Sequence, residues 1–197
     1  MISNSTVLIH LSKINALWLL KDLYAKILIP QAVYDEVCIK EKKEYDQLIR
    51  AVQEGWLKVI SISVTQRWNL DAGETEVLNV ALELKEPVIL DDAAGRAVAK
   101  TLGIQVFRTT SVIMEAYSKQ LITSVQAKHL LTLLVESGYY LSPRFFVQLI
   151  EALKSDDRLL KEMDHINKDR GITKSQYKEG PGQHKPVGIG RIKQKHL

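Results

Sequence analysis

Pro87-Val88-Ile89-Leu90-Asp91-Asp92-Ala93-Ala94-Gly95-Arg96 is the stretch on which the fold turns. Pro87 to Leu90 is a short apolar run of strand length, two aspartates follow, and a helical pattern opens behind them and runs to Leu102, where Gly103 stops it. A buried strand that hands over to a helix through an acidic turn is one piece of a strand–helix–strand unit. Its neighbours complete the unit. Gly73 to Leu84 is a helix with Val77, Val80, Ala81 and Leu84 on one face, and Ile104 to Phe107 is the next strand. Toward the C-terminus the pattern predicts helices over about Ser111 to Lys119, over Val125 to Glu136, and from the Ser142-Pro143 cap and first-turn pair to about Leu153. Toward the N-terminus it predicts an alternating strand, Lys58 to Val64, near a sheet edge, and before it an exposed charged helix, Lys40 to Glu54, ending at Gly55. Pro30 opens a helix bearing Val33 and Val37, behind a strand from Lys26 to Ile29. Leu17, Leu20 and Tyr24 share one helix, Val7, Leu8 and Leu11 another, and Met1 to Ser3 is a short first strand. Apolar runs alternating with helical patterns, without an internal repeat, make this an α/β chain built on a central parallel sheet.

The bulk properties suit that reading. At 197 residues, 46% hydrophobic and 25% charged, the chain has the length and the apolar content for one sizeable core, which excludes wholesale disorder and fibrous architectures. No apolar run nears the ~20 residues that span a bilayer, and the opening residues lack a signal-peptide pattern. Cys38 is the single cysteine, so an intramolecular disulfide and a multi-cysteine zinc site are both excluded. These features together place the chain in the cytoplasm, with no membrane partner. The net charge of +4 conceals an asymmetry: residues 154–197 hold 11 Lys+Arg against 6 Asp+Glu, and the rest is nearly balanced at 16 against 17. The expected organisation is a folded domain over 1–153, a charged C-terminal helix over 154–170, and a basic tail over 171–197. That tail is rich in glycine, expected to be disordered alone, and suited to non-specific attraction to nucleic acid.

Acidic and amide side chains recur at strand ends and helix starts: Asn4, Glu36, Glu74 with Glu76, and Asp91 with Asp92. In an open parallel sheet the carboxyl ends of the strands form the ligand crevice, which would let Asn4 and the Asp91-Asp92 pair face one pocket. Converging carboxylates suit a hard divalent cation such as Mg²⁺ or Mn²⁺, which activates water for attack on a phosphodiester. Each residue also has a plainer role open to it. Asp71 and Glu74 have the spacing of a capping box, one of Asp91 and Asp92 is placed to cap the helix behind them, Glu36 sits on the polar face of its helix, and Asn4 suits a turn. Other chemistries are poorly supported. There is no phosphate-binding glycine loop with the right surroundings, no G-x-S-x-G, no histidine next to Cys38, and no metal-ligand spacing among His10, His129, His165, His184 and His196. Trp18, Trp56 and Trp68 read as packing residues.

Four segments in order, Ile2 to Ile14, Ile29 to Val37, Asp71 to Val77, and Val88 to Arg96, resemble the acidic blocks of PIN-domain proteins. More narrowly they resemble the VapC-like branch, whose last block reads Leu-Asp-Asp-x-x-Gly-Arg, matched here by Leu90-Asp91-Asp92-Ala93-Ala94-Gly95-Arg96. The resemblance spans about residues 1–153. It implies a PIN-like α/β/α sandwich and an endoribonuclease of the toxin type, dependent on Mg²⁺ or Mn²⁺, that leaves a 5′-phosphate and a 3′-hydroxyl. Carried over position by position, it implies Asn4, Glu36, Glu74 and Asp92 as catalytic metal ligands, with Asp91 and Glu76 assisting. It also implies RNA as substrate, a small antitoxin protein as partner, and a homodimer. Two positions depart from the branch: Asn4 stands where the family has its first aspartate, and Val7 where a proline is common. The first removes a negative charge and predicts weakened or metal-concentration-dependent activity. A non-catalytic PIN module that binds a protein partner or nucleic acid is the alternative.

Overall fold

The structure is a computed structural model that describes residues 1–40 and 44–153; the expected helix over 154–170 and basic tail over 171–197 lie outside the described residues. Five strands, β1 (Ile2–Ser3), β2 (Ile27–Pro30), β3 (Leu57–Ile60), β4 (Val88–Ile89) and β5 (Val106–Phe107), form one parallel sheet in the order β3-β2-β1-β4-β5. Ile2 aligns with Leu28 on one side and Val88 on the other, Ile27 with Leu57, and Val88 with Val106. Ile2, Ile27, Ile29, Leu57, Val88 and Ile89 are fully buried, as expected of parallel strands covered on both faces.

Between the strands run α1 (Ser5–Lys13), α2 (Trp18–Tyr24), α3 (Gln31–Val37), α4 (Tyr45–Gln53), α5 (Ala72–Leu84) and α6 (Ala93–Thr101). After β5 come α7 (Thr109–Ser118), α8 (Ser124–Glu136) and a last helical stretch, 143–153. The chain moves outward from β1 to β3, returns past β1 to β4, and continues to β5, so right-handed crossovers carry α1 and α2 to one face and α5 and α6 to the other, while α3 contacts both α1 and α5. The packing follows: α5 lies on β1, β2 and β4 and touches α6, whereas α1 touches α4 and α7. Tyr24 of α2 reaches Glu115 of α7 at 2.6 Å, which fastens two helices of one layer. This is an α/β fold with a five-stranded parallel sheet flanked by helices. Among the described residues no helix is long and apolar enough to cross a membrane.

Among the boundaries that differ from the sequence pattern, two do so for a tertiary reason. The alternation from Lys58 to Val64 predicts a longer strand, but β3 stops at Ile60 because β2, its neighbour, ends at Pro30. The chain beyond is captured instead by Asn79 of α5. Its Oδ1 accepts from the N–H groups of Thr65 and Gln66 at 3.0 Å each, and its Nδ2 donates to the carbonyls of Gln66 and Thr75 at 2.8 and 2.9 Å. The charged helix expected over Lys40 to Glu54 is formed as α4 only from Tyr45 to Gln53, and residues 41–43 lie outside the described set. The helix expected from Ser111 begins two residues earlier, at Thr109, because Asp91 accepts the Thr109 N–H at 3.0 Å.

Candidate metal centre

Strand order reverses beside β1, and the candidate residues gather at the carboxyl ends of β1 and β4. Asn4 leaves β1 directly. It is 2% exposed, its N–H donates to the Ile89 carbonyl at 3.1 Å, and its Oδ1 accepts from the Ser5 N–H at 2.7 Å as the cap of α1. Oδ1 also accepts from Ser5 Oγ at 3.3 Å, so a cation meeting this oxygen would take the place of that longer bond.

Glu36 stands in the last turn of α3, half-buried, with its carboxylate against α5 at Gly73. A Cβ on Gly73 would lie 2.8 Å from Glu36 Oε1, so the glycine is what admits the carboxylate to this spot. Glu74 is next along α5 and is 7% exposed. Asp71 caps α5 by accepting the Glu74 N–H at 2.7 Å. Burial pushes the Glu74 carboxyl up to about 7, the charges of Asp71, Asp92 and Glu36 push the same way, and the backbone N–H of Asp71 pulls against them. Glu74 therefore belongs to a capping arrangement and to a cluster of like charges at once. Asp92 caps α6, its Oδ1 accepting the Gly95 N–H at 2.9 Å, and is exposed to solvent. Carboxylates from α3 and the β4–α6 turn thus bear on Glu74 of α5.

Asp91 and Glu76 face other tasks. Asp91 Oδ1 accepts from the Thr109 N–H at 3.0 Å and from the Tyr139 hydroxyl at 2.6 Å, while Oδ2 accepts from Thr109 Oγ1. The first aspartate of the pair is consumed in tying β4 to α7 and to the loop after α8. Glu76 Oε2 accepts the Ala32 N–H at 3.0 Å, so a side chain of α5 caps the start of α3, where Pro30 has no side-chain cap to offer. Its charge helps to fix the helix that delivers Glu36.

Among the described residues no three His, Cys, Asp or Glu side chains close around one point as a ready-made ion site. The donor set is nevertheless entirely oxygen, and the charge crowding on Glu74 is the kind that a cation relieves. It fits an ion such as Mg²⁺, which binds through one or two carboxylates and keeps much of its water.

Sequence reasoning missed two features. Asp71 acts on Glu74 as a charge as well as a cap. Arg96, Arg108, His10 and Tyr139 line a cavity that also includes Asp91 and Asp92. The signal for that cavity was the basic end of the last acidic block, at Arg96, but the aromatic wall comes from residues far along the chain.

A family model described as a PIN domain (DUF3368) matches residues 1–155. No curated protein matches the chain. Among solved structures, the chain is similar to a PilT N-terminus domain protein from the archaeon Sulfolobus solfataricus P2, at 18% identity and a TM-score of 0.41, covering 58% of this chain and 91% of the other.

Proposed function

The chain belongs to the PIN-domain family, and we propose that within it this protein is a metal-dependent endoribonuclease of the toxin type that hydrolyses RNA phosphodiester bonds. The observation that carries the reading is that Asp92 and Glu36, from two other elements, both bear electrostatically on the buried Glu74 carboxyl, with Asn4 at the end of β1. Glu36, Glu74 and Asp92 would hold Mg²⁺ or Mn²⁺, with Asn4 Oδ1 as a neutral fourth donor. When bound, such an ion supplies charge neutralisation at the phosphate and a water acidic enough to attack it. Burial, with the charges of its acidic neighbours, pushes the Glu74 carboxyl up to about 7, and Asp92, at the exposed rim, meets the substrate side. A small antitoxin protein and a second copy of the chain are the protein partners this reading carries with it.

One observation favours the non-catalytic alternative: Asn4 is uncharged and its oxygen already serves as a cap. Mn²⁺ binding separates the two, read as loss of the free-ion paramagnetic signal. The variants are Asn4→Asp and Asp92→Ser, both of which retain a capping oxygen and so leave α1 and α6 intact. Wild-type binding that weakens at least about tenfold in Asp92→Ser and tightens in Asn4→Asp supports the enzyme. Wild type that binds nothing while Asn4→Asp binds identifies a disabled nuclease, and binding in neither sinks the metal centre.

A further inference from the structure

Asp92 belongs to two environments. On one side its charge acts on Glu74; on the other it lines a cavity of about 570 Å³ with a different character. That cavity is walled by Arg96 of α6, by Arg108 just ahead of α7, and by the rings of Tyr139, Tyr140 and Phe145. Arg108 is fixed in place: its guanidinium carbon stands 5.5 Å from the centroid of Phe145, its NH2 donates to the Tyr139 hydroxyl at 3.2 Å, and its Nε lies 3.9 Å from Asp91 Oδ1. The one acidic neighbour deep in the wall, Asp91, is already satisfied by Thr109 and Tyr139. Tyr140 has no such engagement and is 84% exposed.

A polyanion approaching Glu36, Glu74 and Asp92 meets repulsion; in the neighbouring wall the guanidinium groups of Arg96, one N–H of which donates to the Asp91 carbonyl, and of Arg108 offset Asp91 and Asp92. The volume falls in the range of small-ligand pockets, and stacking faces next to a guanidinium are how unpaired bases are held. We propose that this cavity is a nucleotide subsite, which seats one unpaired nucleotide of a single-stranded RNA beside the cleaved bond, with Tyr140 and the Arg108–Phe145 stack facing the base and Arg96 facing the phosphate. The assignment rests on the nuclease reading of the acidic cluster. The paired, stacked bases of a duplex have no free face to offer this cavity.

The test uses the full chain in EDTA at about 150 mM salt, where the sequence-independent backbone term is damped. Fluorescence anisotropy compares a fluorescein-labelled single-stranded RNA dodecamer with the same strand annealed to its complement. Wild type should prefer the single strand, and Tyr140→Ala, at a position too exposed to matter for folding, should weaken single-strand binding about tenfold while leaving duplex binding unchanged. Arg96→Gln should weaken it too and lower the salt slope by about one unit or less. Equal affinity for the two RNA forms, no binding to the single strand, or a Tyr140→Ala protein indistinguishable from wild type each overturns the subsite. Cleavage is then measured separately in Mn²⁺. Cleavage by wild type together with an indifferent Tyr140→Ala removes the subsite and keeps the nuclease. Tyr140-dependent binding in a protein that never cleaves keeps a nucleotide pocket and removes the nuclease.

Discussion

Glu74 ties the chemistry of the cluster to the stability of the chain. Its carboxyl rises from an ordinary 4.5 to about 7 on folding, so the folded state holds this proton more tightly than the unfolded state does. The stabilisation is fully present below pH 4.5 and is lost as pH rises through about 7. In metal-free protein, urea midpoints should therefore fall between pH 5 and pH 8 more steeply for wild type than for Glu74→Gln, whose side chain stays neutral throughout. Parallel curves for the two proteins would show that Glu74 is ionised without penalty. Asp92 and Asn4 teach a related lesson, because each is a helix cap and a candidate ligand at once. Reading both as only caps, from their positions before helices, would have discarded half of the candidate ligands.

Helices and strands owe their bounds to partners as much as to their own sequence. α5 is the clearest case, since it supplies Glu74 to the cluster, Glu76 to the start of α3, Gly73 as the gap for Glu36, and Asn79 to the chain beyond β3. Asn79 is 3% exposed, and its side-chain oxygen and nitrogen are both bonded to backbone. Asn79→Ala leaves two N–H groups and a carbonyl near Thr65 and Gln66 without that partner. A loss of about 1–2 kcal/mol is expected from guanidinium unfolding, since Thr65 and Gln66 are exposed and water can take up the freed groups. The segment that delivers Asp71 should also exchange its amide hydrogens faster in the variant; unchanged protection would show that the clamp does not position it. The Asn79 clamp was invisible in the sequence pattern because asparagine on a helix face has no periodic signature.

Across the molecule, charge is divided between a nearly neutral domain and a basic C-terminal region. Residues 171–197 carry six Lys+Arg against a single Glu. Removing them should weaken retention of RNA at low salt and flatten the salt dependence, by about 0.7 in slope for each phosphate of a single strand that they neutralise. An unaltered slope would assign RNA binding wholly to the domain. Sheet order, not charge, brings the candidate ligands together. Asn4 and Asp92 are 88 positions apart in sequence, and the strands that lead to them run side by side because β4 pairs with β1.

The order of elements, the α/β class, the short buried strands and the acidic ends of those strands were all legible in the sequence, since each depends on local periodicity, a cap or a glycine stop. So were Glu36, Glu74 and Asp92 as candidates, through blocks of residues that keep their spacing along the chain. Their division of labour was not. Asp91 and Asp92 are adjacent and chemically identical, yet one is occupied by Thr109 and Tyr139 and the other stands at the rim of the cluster. Only the packing of α7 and the loop after α8 against β4 distinguishes them. The cavity beyond Asp92 is likewise a tertiary product, because its guanidinium groups and its rings come from segments that no local pattern relates.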